Sequence, residues 1–441
     1  MVNNPTEPLA SVVMIFFNAE RFIQEAIESI VAQTYHNWEL MLVDDGSTDG
    51  STRIAHFYAE KYSGQVMYLE HEEHRNRGMS ASRNLGIRRC QGRYVAFLDS
   101  DDVWLPHKLE RQVAIMESKP RASMVYGASR YWHSWTGNDE DFSLDFVPDL
   151  GVQTEMLFDP PALLTRLYPF GPATTPPPSD FLVRREALEA VGGFEEDFRG
   201  VNQLYDDQAF LVKMYMSQPI FVSSEEWDLY RIHPDSCDAV ATGGGHYDAI
   251  RAFFLQWFES YLLKEGIGDP DTWSTFQKAV QAAQVQLRTD GGSAARLLEL
   301  PNGPGWVRVA IERAATGTSS DIQLNIPFYN LQMNHRYALH FQAKADNPRS
   351  LHFGVAAAHP PWTSLGLYQR IELTQEWQTL DLEFIATVDD DNARIHFDMG
   401  EADLSLELSA PGLRHLPSGQ LVESSLLPSV QTSLRQRLRS Q

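Results

Sequence analysis

Cysteine is nearly absent, since 441 residues carry only Cys90 and Cys237. Two such thiols neither frame a disulfide-stapled fold nor give the spacing of a structural zinc site, so both are expected as reduced, structural side chains. No apolar run reaches the ~20 residues that a membrane-spanning helix needs. The opening MVNNPTEPLA lacks the basic region and apolar core of a secretion signal. Positive charge is also scarce. The 36 Lys and Arg residues face 59 Asp and Glu, a formal charge of −23, which opposes broad contact with a phosphate backbone. The expectation is a chain in the cytoplasm, free or peripheral at the membrane, with no nucleic-acid partner.

What is present is globular in character, with an apolar fraction of 43%. The length suggests roughly two to three folding units. The first hundred residues alternate short apolar runs with helix-like periodicity. Ser11–Phe16 reads as a buried strand. Phe22, Ile23, Ala26, Ile27, Ile30 and Val31 recur at helical spacing, and Glu39–Val43 reads as a second buried strand ending in the turn DDGSTDG. Thr48 or Asp49 can cap the next helix. Val66–Glu70 and Tyr94–Leu98 give two more strands, separated by the amphipathic segment Met79–Arg89. Such alternation predicts a doubly wound α/β sheet, whose ligands bind beyond the carboxyl ends of the strands.

From about 135 to 180 the pattern breaks into aromatic, acidic and proline-rich sequence, including GPATTPPPSD, and a long loop is expected. Residues 246–289 read as a helical linker, with Ile250, Phe253, Phe254, Trp257, Phe258, Tyr261 and Leu262 on one stripe. Beyond about 290, apolar residues recur at period two, as in Val307/Val309/Ile311, Tyr337/Leu339/Phe341 and Ile395/Phe397. That pattern, with frequent turn signals, predicts an all-β sandwich of jelly-roll type over 290–416. Residues 417–441 form a basic tail, either disordered or a docking segment.

Chemistry concentrates at two strand ends. Asp99, Asp101 and Asp102 in FLDSDD directly follow the apolar run YVAF. Carboxylates two apart in a turn can face one hard cation, Mg2+ or Mn2+, whose preference for oxygen also suits a diphosphate. A turn whose Asp side chains satisfy nearby backbone N–H groups would look the same in sequence. One βα unit earlier, Asp44 and Asp45 in VDDGSTDG sit where a carboxylate can meet a base or a ribose hydroxyl. Between them RGMSASRNLG gathers Arg75, Arg77 and Arg83, either as counter-charge to a phosphate or as an exposed helix face.

The ordered segments MIFFNAERFIQEAIESIVAQTY, ELMLVDDGSTDGS, RGMSASRNLGI, GRYVAFLDSDDVW, GGFEEDF, YDDQAFLVKM and YRIHPDS resemble the pattern of family-2 glycosyltransferases with the GT-A fold. The resemblance covers roughly residues 9–240 and implies a catalytic domain over 1–245. It implies an inverting transfer from a nucleotide diphosphate sugar, UDP-linked in the main expectation, to a hydroxyl of a glycan or lipid-linked glycan, with Mn2+ or Mg2+ as cofactor. By the same resemblance Asp45 reads the base, with Phe17 and Asn18 beside it and Arg83 approaching the nucleotide. Asp99 contacts the ribose, Asp101 holds the metal, Asp207 is the general base, and His233 lies in the late loop that closes over the diphosphate and is a second metal candidate. Asp206 stands where the family usually carries Glu.

In the C-terminal part, HRYALHFQAKA, LTQEWQTLDLEF and NARIHFDMG resemble a carbohydrate-binding-module sandwich. The resemblance implies Trp362 and Tyr368 as stacking platforms for a sugar ring. LELSAPGL departs from that family's closing strand, and a structural or subunit-contact role, including a homo-oligomer, stays open beside sugar binding. Two other functions make different demands on the sequence. A sugar nucleotidyltransferase calls for a Gly-rich, basic loop after the first strand, where FFNAERF stands. A lectin-like protein with a decayed first domain would not need Asp99, Asp101 and Asp207.

Overall fold

Strands β1 (Ala10–Phe16), β2 (Trp38–Asp44), β3 (Val66–Glu70) and β4 (Tyr94–Asp99) take up the apolar runs read from the sequence. In the computed structural model, which describes residues 7–243, 247–300, 306–358, 361–416 and 421–422, every position of β1 is buried. That is the mark of a central strand covered on both faces. Helices α1 (Ile23–Val31), α2 (Ser51–Lys61) and α3 (Met79–Ile87) connect the four strands. Ile23, Ala26, Ile27 and Ile30 form the buried stripe of α1.

The chain continues through β5 (Val103–Trp104), α4 (Lys108–Ser118), β6 (Met124–Trp132), β7 (Met156–Phe158), β8 (Leu182–Arg184) and α5 (Arg185–Ala190). It then forms α6 (Asp206–Ser217), β9 (Ile220–Arg231) and α7 (Cys237–Gly243). The strand order is β3-β2-β1-β4-β8-β6-β9-β5, with β7 on β9. The first four strands are parallel, whereas β8, β5 and β7 pair antiparallel to their neighbours. The chain leaves β1 for β2 and β3 on one side and returns for β4 on the other, so the order reverses between β1 and β4. A doubly wound sheet opens its ligand crevice at such a reversal.

The expected long loop between 135 and 180 is more structured than its composition suggests. Its residues Met156–Phe158 are β7, registered against Val222, Phe221 and Ile220 of β9. Edge pairing of this kind needs only three residues with free backbone groups, which a proline-rich segment still supplies. The proline-rich end of the segment is buried as well, since Ser179 and Asp180 are both wholly inaccessible.

The described chain divides into two compact units, one running to residue 241 and including 267–275, the other comprising 242–266 and the chain from 276 onward. The second contains α8 (Tyr247–Lys264) and most of α9 (Pro270–Gln284). Ile250, Phe254, Phe258 and Leu262 of α8 are fully buried at four-residue spacing.

Strands β10 (Gln286–Thr289), β11 (Ala294–Glu299), β12 (Val307–Arg313), β13 (Ile322–Leu331), β14 (Arg336–Ala345) and β15 (Arg349–Ala357) begin the sandwich. It ends with β16 (Ser364–Leu373), β17 (Gln378–Ile385), β18 (Asp390–Asp398), β19 (Leu406–Leu408), β20 (Gly412–Leu416) and β21 (Leu421–Val422). One sheet has the order β10-β13-β18-β15-β16; the other has β11-β12-β19-β14-β20-β21 with β17 on β14. Phe341 of the second sheet meets Phe353 and Phe397 of the first at 5.0 Å each, edge on, at the centre of the shared core. The basic tail, apart from 421–422, lies outside the described residues. Among those residues, no helix is long and apolar enough to cross a membrane.

Candidate active site

Parallel pairing aligns the strand ends, and the site is built there. Ile15 registers against Asp99, and Phe16 against Asp44. Phe17, Asn18, Asp45 and Asp101 therefore follow strands that stop at one edge of the sheet, and Asp99 ends one of them. Phe17 is 51% exposed and presents its ring to solvent. Asn18 takes a left-handed φ of 52°, and its Oδ1 accepts the Thr48 amide at 2.8 Å while its own amide donates to Ser47 Oγ at 3.1 Å. The residue thus braces the first loop against the second.

Asp44 and Asp45 have different jobs. Asp44 is fully buried and closes its own turn, accepting from the Ser47 amide at 2.8 Å and the Thr52 hydroxyl at 2.6 Å. The Asp45 carboxylate accepts the Arg77 and Gly78 amides at 2.7 and 3.0 Å, so it holds the entry to α3. Between these loops Gly46 has φ +83°, and a Cβ there would lie 2.8 Å from Asn76 N and His74 O. Only glycine fits. Asp49 meets the expectation of a helix-start residue in part: its Oδ1 accepts the Ser51 amide at 3.0 Å, although Gly50 occupies the cap position of α2.

Arg83 of α3 is fully buried and forks between two carboxylates, Asp99 at 2.8 Å and Asp206 at 2.5 Å. Ser80 Oγ adds a bond to Asp206 at 3.2 Å. Asp206 and Asp207 open α6. Burial pushes both Asp99 and Asp206 above the usual carboxylate range, with the Arg83 guanidinium opposing the rise. Asp207 is half-buried and accepts the Gln208 amide at 2.6 Å. Loss of water, followed by repulsion from Asp206, pushes it up to about 7 against the pull of Arg83.

The turn after β4 meets the segment after β9. Asp101 Oδ2 lies 3.0 Å from His233 Nε2. His233 is buried, packs on Phe22 with ring centres 4.9 Å apart, and leaves Nδ1 buried with no hydrogen-bond partner. Sequence reasoning missed what holds this pair together. Arg231 Nε donates to the Asp101 carbonyl at 2.6 Å, and the Arg231 amide donates to Asp102 Oδ1 at 2.9 Å. The Arg231 guanidinium sits 4.4 Å from the Trp132 ring centre and 4.7 Å from that of Phe22, and pairs with Glu25 at 2.6 Å. Its one sequence signal was its place in YRIHPDS, two residues before the histidine.

The donor set tests whether a cation fits. Asp99, Asp101, Asp102, Asp206 and Asp207 put carboxyl groups at this edge, against the guanidinium groups of Arg83 and Arg231, which are already paired. A diphosphate entering such surroundings needs added positive charge. Among the described residues no group of three or more His, Cys, Asp and Glu side chains is placed to hold a metal. Asp101 and His233 supply two donors, one oxygen and one nitrogen. Mn2+ accepts both kinds, and either Mn2+ or Mg2+ commonly completes its shell with water and substrate phosphate oxygens. The donor chemistry of the pair, one carboxylate oxygen and one imidazole nitrogen, is compatible with a divalent cation.

Residues 11–192 match the model described as Glycosyl transferase family 2. They form a family-2 glycosyltransferase domain. The span of this domain includes every strand-end residue discussed above up to Ser179, while Asp206, Asp207, Arg231 and His233 follow it in the chain. EpsE of Bacillus subtilis (strain 168), provisionally named a glycosyltransferase, is 39% identical over 148 residues, 34% of this chain and 52% of its own length. The UDP-Glc:alpha-D-GlcNAc-diphosphoundecaprenol beta-1,3-glucosyltransferase WfgD of Escherichia coli is 40% identical over 119 residues, 27% of this chain and 45% of its own. The chain spans about half the length of each of these relatives. A crystal structure of S. aureus TarS residues 1–349 with UDP-GlcNAc matches at 17% identity and a TM-score of 0.42, over 62% of this chain and 80% of that one.

Outside the family-2 domain, Trp362 and Tyr368 come to one face of the sandwich. Ile395 and Phe397 of β18 point into the core, so Arg394, His396 and Asp398 point the other way. Trp362, 40% exposed, has Arg394 5.1 Å from its ring centre, and Tyr368, 53% exposed, stacks on His396 with centres 5.8 Å apart. The two rings thus stand above alternate residues of one strand. A cleft of about 510 Å³ opens one residue on from Trp362, lined by Asn330, Gln332, Thr363, Leu365 and Asp389 among others.

Proposed function

We propose that this protein transfers a sugar from a nucleotide diphosphate sugar, a UDP-sugar in the first instance, to a hydroxyl of a glycan or lipid-linked glycan, with inversion at the anomeric carbon. The observation that carries the reading is Asp207, a carboxylic acid held at about 7 and linked through Asp206 and Arg83 to the strand-end Asp99. A general base works best with its pKa close to the working pH. The names of relatives support the substrate class, since WfgD is a UDP-glucose transferase acting on a diphosphoundecaprenol-linked sugar.

In this mechanism the donor's nucleoside lies along the ends of β1 and β2, where Phe17 offers an exposed ring and Asp45 and Asn18 fix the loops. Asp99, held by Arg83, faces the ribose. Asp101 and His233 would hold Mn2+ or Mg2+, which when bound offsets the charge of the departing diphosphate. Asp207 takes the proton of the acceptor hydroxyl as its oxygen bonds to the anomeric carbon and the bond from that carbon to the diphosphate breaks. Direct displacement inverts the centre. The two aromatic rings on the sandwich offer a stacking surface for a glycan, with Trp362 and Tyr368 as its platforms.

The test is a panel of nucleotide sugars with Mn2+, read as nucleoside diphosphate released. Turnover with at least one donor, lost on chelation, is the expected result. A protein that binds glycan through the sandwich and turns over no donor would be the lectin-like alternative. Pyrophosphate release from a nucleoside triphosphate and a sugar phosphate would point to a sugar nucleotidyltransferase.

A further inference from the structure

The proline-rich stretch ahead of β8 ends in two buried polar residues that the reaction above does not use. Ser179 Oγ donates to Asp102 Oδ2 at 2.6 Å and accepts the Asp99 amide at 3.1 Å. One hydroxyl therefore joins both ends of the strand-end turn. The second oxygen of Asp102 accepts the Arg231 amide at 2.9 Å, and Arg231 Nε reaches back to the Asp101 carbonyl at 2.6 Å. The order Ser179, Asp102, Arg231 is a continuous set of bonds that ends two residues before His233.

Ser179 is itself held from behind. Its carbonyl accepts Trp104 Nε1 at 2.8 Å, and the next carbonyl, that of Asp180, accepts Gln112 Nε2 at 2.6 Å together with Lys108 Nζ. The Asp180 carboxylate accepts the Gly127 amide at 2.8 Å. Lys108 is fully buried, with Nζ 4.9 Å from the Trp104 ring centre. An ammonium group out of water is costly, and this one donates to a main-chain carbonyl and to Gln112. Such bonds fix where a peptide lies. They lock the backbone at 179–180 between α4 and β6, and the Ser179 hydroxyl carries that position to the turn.

We propose that Ser179 is a positioning residue: its hydroxyl sets the Asp99–Asp102 turn and, through Asp102, docks the Arg231–His233 segment so that Asp101 and His233 converge. The consequence for nucleotide binding rests on the function proposed above, whereas the effect on the turn does not.

The experiment compares wild type with Ser179→Ala in the full chain by two readouts. The first is hydrogen exchange in peptides covering residues 97–104 and 229–234, with peptides from β1 and β2 as the fold control. The second is UDP affinity in Mn2+ by calorimetry. The expected result is faster exchange in both windows, unchanged β1 and β2, and UDP affinity about tenfold weaker, the size of one lost hydrogen bond to a charged group. Unchanged exchange in both windows overturns the proposal, whatever happens to UDP. Faster exchange alongside a wild type that binds no UDP keeps the positioning role and removes the nucleotide reading. Should the alanine protein lose protection in β1 and β2, Ser179→Cys, close in volume and a weak donor, takes its place under the same criteria.

Discussion

Asp207 is where single-residue chemistry decides most. Its raised value means that the folded state favours the protonated form, so a base acting through Asp207 is idle in acid and active above about 7. The kcat profile should rise with pH through that value. Asp207→Asn keeps the size and removes the proton acceptor, so kcat should fall by at least about 100-fold while donor binding persists. Stability should move in the opposite sense. A carboxyl with a raised folded pKa contributes stability at low pH that is lost as pH rises through about 7, because the ionised form is the one that burial penalises. Asp207→Asn should therefore melt higher than wild type at pH 8, and a lower melting point there would contradict the assigned burial. Asp101→Ala should abolish the gain in nucleotide affinity that Mn2+ gives wild type, measured by titration with and without chelator.

At the scale of elements, the site is a junction of α3, β4 and α6 closed by one guanidinium. Arg83→Met would leave Asp99 and Asp206 buried without their shared partner. Breaking a buried pair by removing one side costs about 3–5 kcal/mol, and chemical denaturation should show a loss of that size. Lysine should not restore it, because a point charge cannot fork to two carboxylates. Packing of α3 makes a separate prediction. Gly86 faces the sheet, and a Cβ there would lie 2.5 Å from a Val13 methyl and 3.2 Å from one of Val43. Alanine normally gains up to about 1 kcal/mol over glycine inside a helix, but overpacking costs about 1–3 kcal/mol. Gly86→Ala should destabilise on balance, and a rise in melting temperature would show that α3 can shift outward.

At the scale of the whole molecule, every residue assigned to the donor lies before residue 240, and the sandwich has its own core of Leu339, Phe341, Phe353 and Phe397. A chain ending at residue 285 should therefore bind UDP in Mn2+ as the full protein does. Lost UDP binding in a soluble, folded protein would show that residues beyond 285 contribute to the donor site, whereas insolubility would report on α8 and most of α9, which belong to the second unit. Trp362→Ala and Tyr368→Ala should each weaken binding of a glycan by about 1 kcal/mol, read as a higher acceptor KM at unchanged donor KM.

The sequence alone determined whatever is carried by short stretches of chain. Strands β1 to β4 were legible because buried parallel strands are continuous apolar runs, and the sandwich because its strands alternate at period two. Asp99 and Asp101 were legible because a carboxylate turn directly follows an apolar strand. Tertiary structure alone decided which of these groups meet. The bonds from Asp102 to Ser179 and to Arg231 join residues 77 and 129 positions apart, and no local pattern encodes a pairing at that distance. It also turned Asp45 inward onto the Arg77 and Gly78 amides and buried Arg83 between two acids, where the sequence left the arginines either as counter-charge to a phosphate or as an exposed helix face. The pKa of Asp207 belongs to the same class, since it follows from exclusion of water and from Asp206, and exclusion of water is a property of the folded packing.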